Sequence, residues 1–297
     1  MNEPEVAVLL AVWNGMQWLP EQLESIRKQQ GVKVSIFVSV DVSTDGTEAW
    51  LENYAKACPC LKLLPSGVFG GAAKNFFRLV RDVDLAPFDY VAFADQDDIW
   101  HADKLYAGHS VISQGAAQAY SANVSAFWPD GRTCLINKAF PQRRYDYLFE
   151  AAGPGCTYML SRPVAEGLKS FLEAHWQAIN NVALHDWLVY AWTRAAGWTW
   201  FIDPHPVLRY RQHEQNQVGA NKGWHALWKR LQLVREGWYR AEIGRIHQLV
   251  SPLLAGQGLF GEKNLPGRWT LLANIRHLRR SAKDRAFLFA LLLFNLY

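Results

Sequence analysis

The run Tyr90-Val91-Ala92-Phe93-Ala94 stops at Asp95-Gln96-Asp97-Asp98, and this switch from apolar to acidic constrains the fold more than any other stretch. A short apolar run bounded by polar residues reads as a buried strand, often in a parallel sheet. In open α/β sheets, ligands bind beyond the carboxyl ends of the strands. Three carboxylates within four residues therefore stand where a substrate stands. Such charges repel unless a cation neutralises them. Hard divalent cations such as Mg²⁺ or Mn²⁺ prefer oxygen ligands and keep positions open for phosphate oxygens. This stretch alone leaves two readings: a metal–diphosphate site, or a polar turn whose aspartates cap a helix.

The preceding chain supplies a sheet for that strand. Val6–Val12, Val34–Val40 and Leu61–Leu64 read as strands, and Leu19–Lys28, Thr47–Ala57 and Ala72–Val83 as the helices between them. Pro20 suits the first turn of its helix. The order β-α-β-α-β-α-β predicts an α/β fold, a mostly parallel sheet flanked by helices. Turns Trp13-Asn14-Gly15 and Asp41–Thr47 then share one sheet edge with Asp95–Asp98, so that Asn14, Asp41 and the acidic cluster converge. Between about 101 and 210 the pattern is mixed. Lys104–Ser113 and Pro163–Trp176 read as helices, and Ala117–Phe127, Thr133–Ile136 and Thr157–Leu160 as strands. His185-Asp186-Trp187 opens a helix over Leu188–Ala195, where an N-cap is one of two competing readings of Asp186, and strands follow at Trp198–Ile202 and Val207–Tyr210. Residues 224–297 read as mostly helical, with Trp224, Leu227, Leu231 and Val234 at helical spacing.

Composition narrows the function classes. The chain has 297 residues, half of them hydrophobic, which suits one large domain or a domain with an appendage. Net charge is +4, without a long basic block, so nucleic acid is not an expected partner. Residues 261–297 hold Lys263, Arg268, Arg276, Arg279, Arg280, Lys283 and Arg285 against Glu262 and Asp284, a net positive stretch in a chain of net charge +4, and their apolar, basic composition suits an anionic lipid surface or a solvated helix face. Cys58, Cys60, Cys134 and Cys156 lack metal or disulfide spacing and read as free thiols in a reducing cytoplasm. Glu3 and Glu5 precede the first apolar run, unlike the basic lead of a signal peptide. No apolar run reaches the roughly 18 residues of a membrane span.

Taken in order, several motifs resemble those of family 2 glycosyltransferases of the GT-A fold, and in particular bacterial rhamnosyltransferases of lipopolysaccharide core or O-antigen synthesis. They are Val12-Trp13-Asn14-Gly15, Asp41-Val42-Ser43-Thr44-Asp45-Gly46-Thr47, Lys74-Asn75-Phe76, Asp95-Gln96-Asp97-Asp98-Ile99-Trp100, Gly155-Cys156-Thr157, His185-Asp186-Trp187 and Tyr210-Arg211-Gln212-His213 with Asn216, Val218 and Gly219. The resemblance covers about residues 5–220. It implies a GT-A, Rossmann-like catalytic domain over 1–220, with a nucleotide-binding half (1–100) and an acceptor half (101–220). A helical C-terminal region (221–297), basic and apolar, either packs on the catalytic domain as an interface or meets the inner-membrane surface.

The resemblance also implies roles. Asp41 accepts the base N3–H, Asp95 lies near the ribose, and Asp97 holds Mg²⁺ or Mn²⁺ at the diphosphate. His213 completes the metal shell or touches the diphosphate, and Arg211 neutralises phosphate charge. Asp186 is the general base. Asn14, Asn75, Asp98, Gly155, Cys156 and Trp187 complete the substrate-binding set. The implied reaction is inverting transfer of a sugar, L-rhamnose from dTDP-L-rhamnose, to a lipopolysaccharide or lipid-linked glycan, in the cytoplasm at the inner-membrane surface. One departure stands out: Val42 replaces the family's turn glycine, and valine does not readily take φ > 0. Three alternatives stand beside this expectation: a UDP-sugar donor, a Mg²⁺-dependent phosphohydrolase, and a non-catalytic sugar-nucleotide binding module. The phosphohydrolase needs a nucleophilic carboxylate after the first strand, where Trp13-Asn14 stands.

Overall fold

A computed structural model describes residues 3–213, 232–256 and 258–296. Asn216, Val218 and Gly219 of the last motif, and Trp224, Leu227 and Leu231 of the expected helical stripe, lie outside these residues. The first half alternates β1 (Glu5–Val12), α1 (Leu19–Arg27), β2 (Lys33–Val40), α2 (Thr47–Ala57), β3 (Leu61–Leu63), α3 (Ala72–Asp82) and β4 (Tyr90–Ala94). Then come β5 (Ile99–Trp100), α4 (Lys104–Ser113), β6 (Ala119–Phe127), β7 (Thr133–Ile136), β8 (Met159–Ser161), α5 (Arg162–Ala174), α6 (Trp176–Ile179), α7 (His185–Ala195) and β9 (Trp200–Arg211). The C-terminal region adds α8 (Trp238–Val250), α9 (Arg268–Ala273) and α10 (Ala282–Leu293).

One sheet runs in the order β3-β2-β1-β4-β8-β6-β9-β5, with β7 alongside β6. Strands β3, β2, β1 and β4 are parallel. Polarity reverses where β8 joins β4 in antiparallel register. The alternation of β1 divides the core. Ala7, Leu9 and Ala11 pack with Phe76, Leu168, Leu188, Ile246 and Leu288, whereas Val6, Val8, Leu10 and Val12 pack with Leu19, Leu23, Leu51 and Leu105. A strand's side chains point to opposite faces in turn, so both faces of this sheet are covered by helices. The C-terminal helices belong to the first of these layers.

The structure corrects several local expectations. Strand β5 follows the acidic cluster directly, pairing with β9 through Ile99–Arg209 and Trp100–Leu208. Asp95–Asp98 therefore form a connection between strands, and none is an N-cap; that position before α4 is Asp103. β9 is one strand where Asp203-Pro204-His205-Pro206 reads as a break. Proline cannot donate to a ladder. The register with β6 shifts at Asn123, whose Nδ2 donates to the Pro204 carbonyl at 2.8 Å, so a side chain satisfies the irregularity. Gly155–Thr157 is a 3₁₀ turn, and β8 starts at Met159. Helix α7 starts at His185 after N-cap Leu184, which puts Asp186 inside the first turn instead of at the cap.

Candidate active site

The carboxyl ends of β1, β2 and β4 meet as the order of elements requires. Asp41, at the end of β2, accepts from the amides of Phe69 and Gly70 at 3.0 Å and of Gly71 at 3.3 Å. The carboxylate thus organises the 67–71 loop, where Gly70 and Gly71 sit at φ 80° and 134°, closed to most side chains. Val42 keeps out of the positive-φ region; Asn14 on the adjoining turn occupies it at φ 46°, and asparagine tolerates that region. Asn14 Oδ1 accepts from the Thr44 amide at 2.8 Å, tying the two turns together. Asn75 donates to the Ser39 carbonyl at 3.0 Å, while its buried Oδ1 has no hydrogen-bond partner among the described residues. Gln96, the middle residue of the acidic motif, forms a two-way clamp with Trp13: its Oε1 accepts from the amide at 2.7 Å and its Nε2 donates to the carbonyl at 2.8 Å. The sequence carried no signal for this clamp beyond the position of Gln96 between two aspartates.

The acidic cluster is built in depth. Asp95 and Asp97 line the cleft, whereas Asp98 is 1% exposed beneath them. Asp97 Oδ2 lies 2.6 Å from His213 Nε2, and the His213 ring stacks on Trp18 at 4.0 Å between centroids. Burial, with Asp97 and Asp186 nearby, pushes the Asp95 carboxyl up to about 7. Burial also holds Asp98 well above the usual carboxylate range, with Asp97 and Asp95 adding to it. One oxygen of Asp98, Oδ2, is buried with no hydrogen-bond partner among the described residues. Cys156 is fully buried within 4.8 Å of Asp95 and Asp98 in ligand-atom spacing, and burial raises its thiol. A protonated thiol is neither nucleophile nor good metal ligand. Beneath lies Lys104, 2% exposed, its ammonium over the Trp100 ring and pushed down to about 7 by burial. Arg211 buttresses the cluster: Nε donates to the Asp97 carbonyl at 2.9 Å, and its guanidinium pairs with Glu21.

Asp186 enters the same cleft from α7. Burial raises its carboxyl to about 6, against the lowering effects of the Trp187 amide at 2.7 Å and of Lys138. His185 packs on Phe76 at 4.0 Å between centroids, and burial lowers its imidazole to about 3, so it is neutral near pH 7. Gly155 is needed there, because a Cβ would stand 2.5 Å from His185 Nε2 and 3.2 Å from Asp186 Cβ. Trp187 lines the cleft and donates its indole N–H to the Tyr147 carbonyl at 3.0 Å. From α8, fully buried Glu242 accepts from the amides of Ala183 at 2.7 Å and Leu184 at 3.3 Å, fixing the chain that leads into α7. Neither Lys138 nor Glu242 has a local sequence signal; both reach the site through tertiary packing alone.

The cleft has a volume of about 1030 Å³. Asp41, Asn75, Asp95, Asp97, Gly155, Asp186 and Trp187 line it. Asn14, Asp98, Cys156, Arg211 and His213 stand behind its wall and shape it through the contacts above. The arrangement sets oxygen and nitrogen donors in one cleft with a carboxyl raised to about 6.

The family model for Glycosyl transferase family 2 matches residues 7–161, more than half of the chain. The chain belongs to glycosyltransferase family 2. Among its relatives, the dTDP-rhamnosyl transferase RfbG of Shigella flexneri is 41% identical over 290 residues, covering 97% of this chain and 100% of RfbG. The amylovoran biosynthesis glycosyltransferase AmsB of Erwinia amylovora is 28% identical over 118 residues, 38% of each chain. Solved structures bear out the GT-A fold. Mannosyltransferase PcManGT from Pyrobaculum calidifontis, solved with GDP-Man and Mn²⁺, superposes with a TM-score of 0.55 at 18% identity, covering 100% of this chain and 81% of its own. Staphylococcus aureus TarS 1–349, solved with UDP-GlcNAc, gives 0.53 at 14% identity over 84% of this chain and 72% of its own. In this family 2 glycosyltransferase the matched region runs from β1 through β8. Asp186 and Glu242 lie beyond it.

Proposed function

We propose that this enzyme transfers L-rhamnose from dTDP-β-L-rhamnose to a hydroxyl of a lipopolysaccharide or lipid-linked glycan, with inversion at the anomeric carbon. The observation that carries the reading is that Asp95, Asp97 and Asp186 line one cleft, Asp186 close enough to Asp95 to raise it and its own carboxyl raised to about 6. The full-length likeness to a dTDP-rhamnosyl transferase supports the donor. Asp41 takes the base N3–H while holding the 69–71 amides, Asn75 and Asp95 contact the sugar nucleotide, and Trp187 with Gly155 shapes the acceptor side. Asp186 removes the acceptor hydroxyl proton, the oxygen bonds to the anomeric carbon, and the carbon–oxygen bond to the diphosphate breaks to release dTDP. Direct displacement from the β-donor gives an α-L-rhamnoside.

The acidic end fits a divalent metal. Its donors are carboxylate oxygens and one imidazole, the chemistry of a Mg²⁺ or Mn²⁺ site. Asp98 Oδ2 is a buried acceptor without a hydrogen-bond partner among the described residues, and Asp95, raised by burial and then by Asp97 and Asp186, is a group whose ionised form a bound cation would favour. Asp97 and His213 would hold the ion, with Asp95 beside it; bound metal supplies Lewis-acid stabilisation of the leaving diphosphate. Arg211 supports this end through the Asp97 carbonyl. Among the described residues no helix is long and apolar enough to cross a membrane. We place the enzyme on the cytoplasmic face of the inner membrane, with the basic C-terminal region as its contact.

A thermal-shift screen of nucleotide sugars with and without Mn²⁺ tests the donor. Selective stabilisation by dTDP-rhamnose is expected, and stabilisation by UDP-sugars alone would overturn it. Asp97→Ala and Asp186→Ala are each expected to abolish transfer with the fold intact by circular dichroism. Full activity in either variant removes its assigned role.

A further inference from the structure

Val42, the valine that stands in place of a turn glycine, has a side chain that the fold does not use. Its amide donates to the Gly67 carbonyl at 3.0 Å, a bond any residue but proline could make, while its side chain is 50% exposed. Val68, on the loop that Asp41 holds, is 83% exposed. Its neighbour Phe69 packs under the Arg78 guanidinium, 4.6 Å from the ring centroid, which ties the loop to α3 and leaves Val68 as the apolar residue of the loop in the cleft. Trp13 is 55% exposed, and its backbone adjoins that of Val42: the Asp41 amide donates to the Val12 carbonyl at 2.8 Å, and the Asn14 amide to Ser43 Oγ at 2.9 Å. None of these three side chains belongs to either core layer, and all three line the cleft with Asp41. Apolar surface left in water gains free energy only when something covers it. Around Asp41, that something is a ligand.

Asp41 has an acceptor position to spare. A carboxylate offers about four, and the amides of Phe69, Gly70 and Gly71 take three. Among the described residues Oδ1 accepts only from Phe69, so the spare position is on that oxygen. A base that donates its N3–H there carries C5 two ring atoms away. A substituent on C5 therefore comes down beside Asp41, next in the chain to Val42 and joined through the Asp41–Gly67 bridge to Val68. We propose that Val42 and Val68 read the C5-methyl of the base and so select thymidine over uridine donors. The proposal rests on Asp41 taking the base. Thymine covers both valines with its methyl, whereas uracil has only a hydrogen there and leaves them wet. Cytosine is excluded one step earlier, because its N3 carries no hydrogen for Asp41.

Calorimetric titration of the full chain with Mn²⁺ present tests this with two pairs of nucleoside diphosphates: dTDP against dUDP, and 5-methyl-UDP against UDP. Each pair differs by the methyl alone, and the two pairs differ by the 2′-hydroxyl. The methyl is expected to tighten binding about ten-fold in both pairs. In the double variant Val42→Ala, Val68→Ala that advantage is expected to fall to about two-fold, with each single variant in between. Both side chains are exposed, so the variants are expected to keep the circular dichroism of the parent. A methyl effect below about two-fold in the parent overturns the proposal, as does an undiminished effect in the double variant. A preference that follows the 2′ position alone moves the selection to the ribose and overturns it too. Asp41→Asn tests the reading underneath: all four ligands are expected to weaken about ten-fold, and unaltered binding would remove Asp41 from the base whatever the valines do. The probes carry no sugar, so a donor sugar other than rhamnose would leave the result standing.

Discussion

At the scale of single residues, the proposed chemistry turns on the Asp186 proton. Its carboxyl, raised to about 6 by burial, is ionised and basic above that pH and protonated and inert below it. The pH profile of kcat/KM is therefore expected to rise through an acid limb near 6, falling about ten-fold per unit below it. Stability runs the other way. A raised carboxyl in the folded state contributes stability below the ordinary carboxylate pKa, which is lost as pH rises through 6. His185 is already neutral across this range, so His185→Gln should leave the limb in place. Gly155→Ala presses on both side chains. It is expected to lower kcat about a hundred-fold through misplacement of the base, with dTDP-rhamnose binding retained, as thermal shift would report. Asp95, Asp97, Asp41 and Asp186 were legible in the sequence because each sits at a strand end or helix start. Asp98, Cys156 and Arg211 were legible only as neighbours; their burial and their supporting contacts come from packing that spacing does not encode.

At the scale of elements, the parallel half of the sheet was readable because β1, β2 and β4 are short, mostly apolar runs between polar turns. Two-residue β5 was not, since its pairing comes from β9, more than a hundred residues later. The prolines of β9 hid its continuity, because the Asn123 side chain repairs the ladder from another strand. Helix α7 depends on a partner equally remote in sequence. Glu242 of α8 holds the amides before it and adds negative charge near Asp186. Glu242→Gln keeps an acceptor oxygen but removes that charge, so the acid limb should shift toward lower pH with KM for dTDP-rhamnose unchanged. A limb that stays put would reduce Glu242 to a structural brace.

At the scale of the whole molecule, the C-terminal helices are joined to the catalytic core through polar as well as apolar contacts. Arg280, 2% exposed, pairs with Asp146 at 3.1 Å and Glu150 at 3.5 Å and donates to the Ala151 carbonyl at 2.6 Å. Arg280→Met leaves two buried carboxylates with less compensation and is expected to cost about 3–5 kcal/mol in urea unfolding. A loss below about 1 kcal/mol would mean that water or another cation takes its place. The basic, apolar character of this region was plain from composition, and packing on the catalytic domain was one of two readings it allowed; which layer it joins, that of α3 and α7, was not readable, because amphipathic spacing does not specify a partner. The Glu242 brace has an evolutionary consequence. On the proposed assignment, the helix presenting the base is held by a segment outside the family-matched β1–β8 region, so a substitution in that segment can move the base without touching the nucleotide end. On the proposed assignment, such a scaffold diversifies glycan linkages by editing its tail and inherits its donor from its first half.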